Sequence, residues 1–229
     1  MDDFRSFQER LSLNCIAFEA VRRNAVWGIT EIQVQKIIQD AWFQASCVEF
    51  PFSGDVVSGE RSGDIDGAAT ERKLQRGDVL ILDLQPGYDD CYADTTRTFF
   101  VGEPSAEVRQ AYTAVLDALR QMEMLLRPGV PACKIHEKMQ EVLAKHGYSC
   151  PHHAGHAVGR EKLLEPRLIP QRDTQLEEGM LIALEPGVYV PGCFGIRIEN
   201  NYRITQTGYD ALFQYPLDIE YFILRDGAK

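Results

Sequence analysis

The sequence has no apolar run long enough to cross a bilayer. Its longest runs, such as Val79-Leu80-Ile81-Leu82, fall far short of the ~20 residues a spanning helix needs. It also has no excess of basic residues. Lys and Arg number 24 against 34 Asp and Glu, a formal charge of −10. Nucleic acid and anionic membranes reward a basic surface, so neither is expected as the main partner. Cysteine is sparse. Cys15, Cys47, Cys91, Cys133, Cys150 and Cys193 are scattered and contain no CxxC pair. That spacing predicts reduced packing residues rather than a disulfide framework. The opening Met1-Asp2-Asp3-Phe4-Arg5 is acidic and has no apolar segment of the signal-peptide kind. A soluble cytoplasmic protein is the expectation. With Gly at 18 and Pro at 11, a collagen-like or low-complexity chain is excluded, and no solenoid repeat or linker is visible.

What is present is ordinary globular material, 45% hydrophobic and 25% charged over 229 residues. A chain of this size buries about 70–75% of its unfolded surface, so folding needs neither a disulfide nor a structural metal. Helical spacing of Phe7, Leu11, Asn14/Cys15 and Phe18 predicts a helix over 2–26. Thr30-Glu31-Ile32-Gln33 is a capping-box pattern that opens a second helix. The stretch 50–67, rich in Gly and Pro, predicts short strands and turns. Strands are expected over 78–85 and 91–101, helices over 105–126 and 132–146, and strands near 180–190 and 195–206. Pro128-Gly129 breaks the helix pair, and Gly147 supplies a C-terminal cap. The order helices–strands–helices–strands reads as one α+β domain over 1–229, divisible into two similar halves.

Two acids stand out in the first half. Asp83 interrupts the run Val79–Leu84, where a polar residue is costly. A hairpin turning at 86–91 would place residue i opposite 177 − i, and so Asp83 opposite Asp94. Alone, that hairpin reads equally as a solvated surface turn, or as one with an Asp capped by Thr95, Thr96 or Arg97. The second half repeats the device. Glu185 follows Met180-Leu181-Ile182-Ala183-Leu184, and Glu199 closes Ile196-Arg197-Ile198-Glu199. A turn at Pro191-Gly192-Cys193 pairs residues that sum to 384, which brings Glu185 opposite Glu199. Two hairpins that each face a carboxylate pair inward are poor stability features but good oxygen ligands for divalent cations. In His152-His153-Ala154-Gly155-His156, a single His is by itself more often structural. Beside four convergent acids, one ligand His becomes the better reading. One imidazole and four carboxylates supply a dinuclear site for Mn, Co, Fe or Zn, and do not choose among them.

Five segments carry a resemblance. Val79-Leu80-Ile81-Leu82-Asp83, Tyr92-Ala93-Asp94-Thr95-Thr96-Arg97-Thr98, Gly155-His156-Ala157-Val158-Gly159, Leu184-Glu185-Pro186-Gly187 and Gly195-Ile196-Arg197-Ile198-Glu199-Asn200 resemble metallopeptidase family M24. This is the pita-bread family of methionine aminopeptidase, aminopeptidase P and prolidase, and the wording is closer to the proline-cleaving branch. The resemblance runs from about residue 5 to 225. It implies a curved antiparallel sheet with pseudo-twofold helix pairs and a short peptide or small amide-like substrate. It implies ligand roles for Asp83, Asp94, His156, Glu185 and Glu199, with Asp94 and Glu199 shared between two ions. It also implies a metal-bound hydroxide that attacks a peptide or amide carbonyl while Glu185 shuttles the proton. The expectation is a single catalytic module without an N-terminal domain of the prolidase kind, and a homodimer is left open.

Two departures accompany the resemblance. Family peptidases carry a His after a Ser-Gly motif, and here Ser58-Gly59 leads to Asp66. They carry another seven residues after the ligand His, and here that position is Leu163. Losing such donors costs on the order of 10²–10³ in rate each. His152 or His153 could substitute in part, so Glu185, His153 and Asp66 are the residues expected to take part in catalysis. Two other readings stand beside the peptidase. One is a metal-dependent hydrolase or lyase of a small molecule, with Asp66 favouring a cationic group and Leu163 an apolar one. The other is a non-catalytic binding module of the same fold.

Overall fold

The computed structural model describes residues 3–160 and 163–224, so the Asp2 end of the first expected helix lies outside them. α1 (Asp3–Asn24) and α2 (Glu31–Ser46) form the first helix pair. The capping box ahead of α2 is present: Gln33 N donates to Thr30 Oγ1 at 3.2 Å, and Thr30 N donates to Gln33 Oε1 at 2.8 Å. These bonds satisfy two of the donors that any helix start leaves free. Val34, Ile38, Ala41 and Trp42 then bury one face. β1 (Gly54–Ser58) and a 3-10 turn (Gly59–Gly63) follow in the Gly-rich stretch. Next come β2 (Val79–Leu84), β3 (Gly87–Tyr88), β4 (Cys91–Tyr92) and β5 (Thr95–Val101).

The second half opens with α3 (Ala106–Glu123) and α4 (Ala132–Lys145). Ser105 caps α3 by accepting from Val108 N at 3.2 Å. Its strands are β6 (Gly155–Ala157), β7 (Leu164–Arg167), β8 (Leu181–Leu184), β9 (Gly187–Val190), β10 (Phe194–Arg197), β11 (Asn200–Ile204), β12 (Tyr209–Ala211) and β13 (Ile223–Leu224). Two larger sheets result, ordered β1-β2-β5-β13 and β12-β11-β8-β6-β7, with β3-β4 and β9-β10 as separate ribbons. Among the described residues, every pairing is antiparallel except β13 on β5. Among them, too, no helix is long and apolar enough to cross a membrane.

The two halves repeat one plan. A bridge joins Thr30 to Lys73 ahead of α2, and another joins Pro131 to Gln175 ahead of α4. Leu74 N donates to Ile29 O at 2.8 Å, as Leu176 N does to Val130 O at 2.9 Å. Gly54 and Gly155 also correspond: each has a positive φ, +129° and +146°, and packs its bare Cα against a carbonyl oxygen, of Asp83 and Ala183 respectively. A side chain at either position would collide with backbone, so these glycines set how closely β1 and β6 approach the strands behind them. One apolar cluster contains Phe7, Phe18 and Trp42 from the first helices and Leu119, Met139, Leu184 and Ile198 from the second half.

The second hairpin has the expected register. Val190 pairs with Phe194 and Gly187 with Arg197, then Leu184 pairs with Asn200, all summing to 384. Glu185 and Glu199 lie where those two ladders meet. The first hairpin corrects the expectation. Tyr88 pairs with Cys91 and Asp83 with Thr96, so residue i faces 179 − i rather than 177 − i. The reason is local: Asp89 and Asp90 both adopt φ of +51°, giving a two-residue turn with both central residues left-handed. That turn centres the hairpin one residue later. Asp94 therefore falls opposite Gln85, and Asp83 becomes its diagonal neighbour on the same face.

Candidate metal centre

The five expected ligand residues come from five places in the chain and converge. Asp83 lies near the end of β2, Asp94 in the break between β4 and β5, and His156 in β6. Glu185 follows β8, and Glu199 joins β10 to β11. All five are buried, from Glu199 at 1% exposure to Glu185 at 9%, so their charges are not met by bulk water. His156 Nε2 stands 3.4 Å from Glu185 Oε1, 3.6 Å from Asp94 Oδ2 and 4.0 Å from Glu199 Oε1.

Three of the acids are held through one oxygen, and all four leave an oxygen unspent. Arg197 Nη2 donates to Asp83 Oδ2 at 2.8 Å, Gln85 Nε2 to Asp94 Oδ2 at 3.1 Å, and Thr96 Oγ1 to Glu199 Oε2 at 3.1 Å. Asp83 Oδ1, Asp94 Oδ1, Glu185 Oε1 and Glu199 Oε1 are buried and have no hydrogen-bond partner among the described residues. Buried acceptors left open cost about 1–3 kcal/mol each, and more when charged. Four open carboxylate oxygens around one imidazole are what hard or borderline divalent cations fill. One atom each from Asp94, His156 and Glu199 already lie within 4.8 Å of one another.

The electrostatics agree. Burial, and then the charge of Glu199, hold the Asp94 carboxyl well above its ordinary value. Burial and Glu185 do the same to Glu199. These acids crowd one another in the absence of positive charge between them. Glu185 behaves differently. Burial opposes its charge, but contact with His153 and the nearby His156 and His152 outweigh burial and hold it at about 2. His153 is lowered by burial yet ends above its ordinary value because of Glu185, which it meets at 3.0 Å through Nδ1.

Arg197, Tyr189 and Asp55 were not singled out in the sequence, yet they support the site. Arg197 is 2% exposed and bridges Asp83 to Asp55, reaching Asp55 Oδ2 at 3.0 Å. It also donates to Ile65 O at 2.7 Å and to the Tyr189 hydroxyl at 2.9 Å. That hydroxyl meets His152 Nε2 at 2.9 Å. A charged residue between Ile196 and Ile198 was the available signal for Arg197. Asp55 carried none, because its partners lie 28 and 142 positions away. A cavity of about 550 Å³ opens onto the site, lined by Asp55, Asp83, Asp94, His153, His156 and Glu185. Asp66 and Leu163 line the same cavity, where Asp66 is exposed and Leu163 half-buried.

The chain is 32% identical over 190 residues to an uncharacterized peptidase of Staphylococcus aureus (strain USA300), covering 82% of this chain and 54% of that protein. It is 36% identical over 159 residues to a Xaa-Pro dipeptidase of Pyrococcus furiosus, covering 69% and 46%. The chain thus spans about half the length of these curated relatives. Among solved structures, prolidase from Pyrococcus furiosus superimposes with a TM-score of 0.89 at 30% identity, covering 94% of this chain and 64% of that one. A Xaa-Pro dipeptidase from Bacillus anthracis gives 0.91 at 29%, covering 96% and 62%. The architecture is the pita-bread fold. The model of metallopeptidase family M24 matches residues 6–206, and the chain belongs to that family.

Proposed function

We propose that the chain is the catalytic module of a metal-dependent hydrolase that cleaves short peptides, with Xaa-Pro bonds the first candidates. The observation that carries this reading is the set of four buried acids, each with an open oxygen, around His156. Asp83, Asp94, His156, Glu185 and Glu199 would hold two divalent ions, Mn, Co, Fe or Zn, with Asp94 and Glu199 shared. When bound, such a pair acidifies a water and polarises a carbonyl oxygen. The chain's own groups do the remaining work. Glu185 is held ionised by the histidines around it, so it accepts the proton of the attacking water and returns it to the leaving amine. Gln85, Thr96 and Arg197 each fix one carboxylate oxygen and so aim the other. The walls contributed by Asp66 and Leu163 shape the pocket for the substrate.

Those two walls also favour a second reading, a hydrolase or lyase of a small cationic molecule. Asp66 and Leu163 line the cavity at the positions where the family resemblance implies histidines. Six cysteines that form no disulfide suit a reducing compartment, the cytoplasm. The decisive test is a panel of Xaa-Pro, Met-Xaa and other dipeptides assayed with Mn, Co, Fe and Zn in parallel. Metal-dependent cleavage of at least one class is expected. Silence across the panel would sink the peptidase and favour the second reading. Glu185→Gln should lower turnover by about 10²–10⁴, and an active variant would contradict the proton-transfer assignment.

A further inference from the structure

Two histidines precede His156 beside Glu185, and they spend their nitrogens differently. His152 uses both: Nδ1 meets the His153 carbonyl at 2.7 Å, and Nε2 meets the Tyr189 hydroxyl at 2.9 Å. His153 does not. Its Nδ1 is buried, has no hydrogen-bond partner among the described residues, and lies 3.0 Å from Glu185 Oε1. That oxygen is likewise open, and it lies 3.4 Å from His156 Nε2. Two donors each about 2.1 Å from one ion are about 3.0 Å apart at a right angle and about 3.4 Å apart at a tetrahedral angle. The 3.0 Å separation of His153 Nδ1 from Glu185 Oε1 is that of neighbouring corners in a coordination shell, and His152, His153 and Glu185 each offer one ligand atom within 4.8 Å of the others.

The backbone explains how two histidines three residues apart reach the same point. In a regular strand, residues i and i+3 point to opposite faces. Gly155, between them, has φ of +146° and turns the chain, leaving the two rings 5.6 Å apart edge to face. His153 also lines the cavity, as Glu185 and His156 do.

We propose that His153 is a sixth protein ligand of the centre, its Nδ1 sharing one ion with Glu185 Oε1. The proposal rests on the dinuclear reading above. It converts a one-imidazole donor set into a two-imidazole set. Nitrogen donors favour the borderline ions, so the site prefers zinc or cobalt over manganese. His153 then replaces hydrogen-bonding function with ligation, which is a different role from the donor expected in the sequence.

The test is X-ray absorption on the zinc-loaded chain, with metal content measured on the same sample. With two zinc ions per chain, the spectrum is expected to show about one imidazole per zinc, falling to about half in His153→Asn. In competition titrations, the preference for zinc over manganese should drop roughly tenfold or more in that variant. Two zinc ions with about half an imidazole each in the unaltered protein would overturn the His153 assignment and leave the dinuclear reading standing. One zinc ion with two imidazoles would do the reverse. Zinc that fails to bind at all would overturn both. The imidazole count of the unaltered protein decides the matter even if His153→Asn does not fold.

Discussion

Asp55 and Asp83 face each other across β1 and β2, and both lean on one guanidinium. One cation between two acids leaves a negative charge uncompensated whenever the centre holds no metal. Burial first, and the charge of Asp83 second, push the Asp55 carboxyl from 3.8 up to about 6. A displacement of about two units corresponds to ~3 kcal/mol between its protonated and ionised forms. Because the folded value is raised, the stability it contributes is fully present below the unfolded value. That stability is lost as pH rises through about 6. The Asp55→Asn variant cannot lose it, since an amide does not ionise. The introduced amide would keep an oxygen to accept from Gly67 N, a bond of 3.2 Å in the unaltered chain, but would give up the charge-assisted bond to Arg197. Some of the ~3 kcal/mol is therefore offset, and a net gain of about 1–2 kcal/mol at pH 8 is expected. For a chain of this length that is a rise of roughly 2–8 °C in Tm. The assay is thermal denaturation of chelator-treated wild type and Asp55→Asn from pH 4 to pH 8. The two curves should coincide near pH 4, separate through pH 6 and run parallel above pH 7. A variant no more stable than wild type at pH 8, or a gap that ignores pH, would refute the account.

Other consequences can be checked with the same instruments. Asp94 and Glu199 are also raised by burial, so metal-free protein should lose stability as pH rises through their folded values. Added Mn or Zn should restore it, by more at pH 8 than at pH 5, since ligands must shed protons to bind; a metal-induced gain in Tm that shrinks toward high pH would contradict this. Glu31 is fully buried and accepts from Ser58 N, Ser58 Oγ, Thr70 N, Thr70 Oγ1 and Arg61, tying the cavity-forming stretch between Ser58 and Thr70 to α2. Glu31→Ala should cost about 3–5 kcal/mol and speed amide exchange in residues 58–70, and exchange that stays at the wild-type rate would remove its organising role.

Several site residues were legible because a charge inside an apolar run breaks the pattern of a buried strand. Asp83 interrupts such a run and Glu185 ends one, and each requires a compensating partner wherever the strand packs. The register of the second hairpin was legible as well, because Pro191-Gly192 marks a turn with known chemistry. The first hairpin was not, because two consecutive Asp residues give no clear sign that both will adopt a left-handed conformation. A shift of two in register followed, and Asp94 met Gln85 instead of Asp83.

By itself, the sequence determined the helix pairs, the approximate span of the main strand segments and the donor types, because capping residues, apolar periodicity and side-chain chemistry act over a few positions. Only the tertiary structure decided which of those donors are spent. Arg197 is committed to Asp55 and Asp83 from 142 and 114 positions away. Tyr189 occupies His152, 37 positions earlier, and leaves the adjacent His153 open beside Glu185. A hydrogen bond depends on where two atoms lie in space, and for strands brought together from distant parts of the chain that position exists only once the sheets have closed.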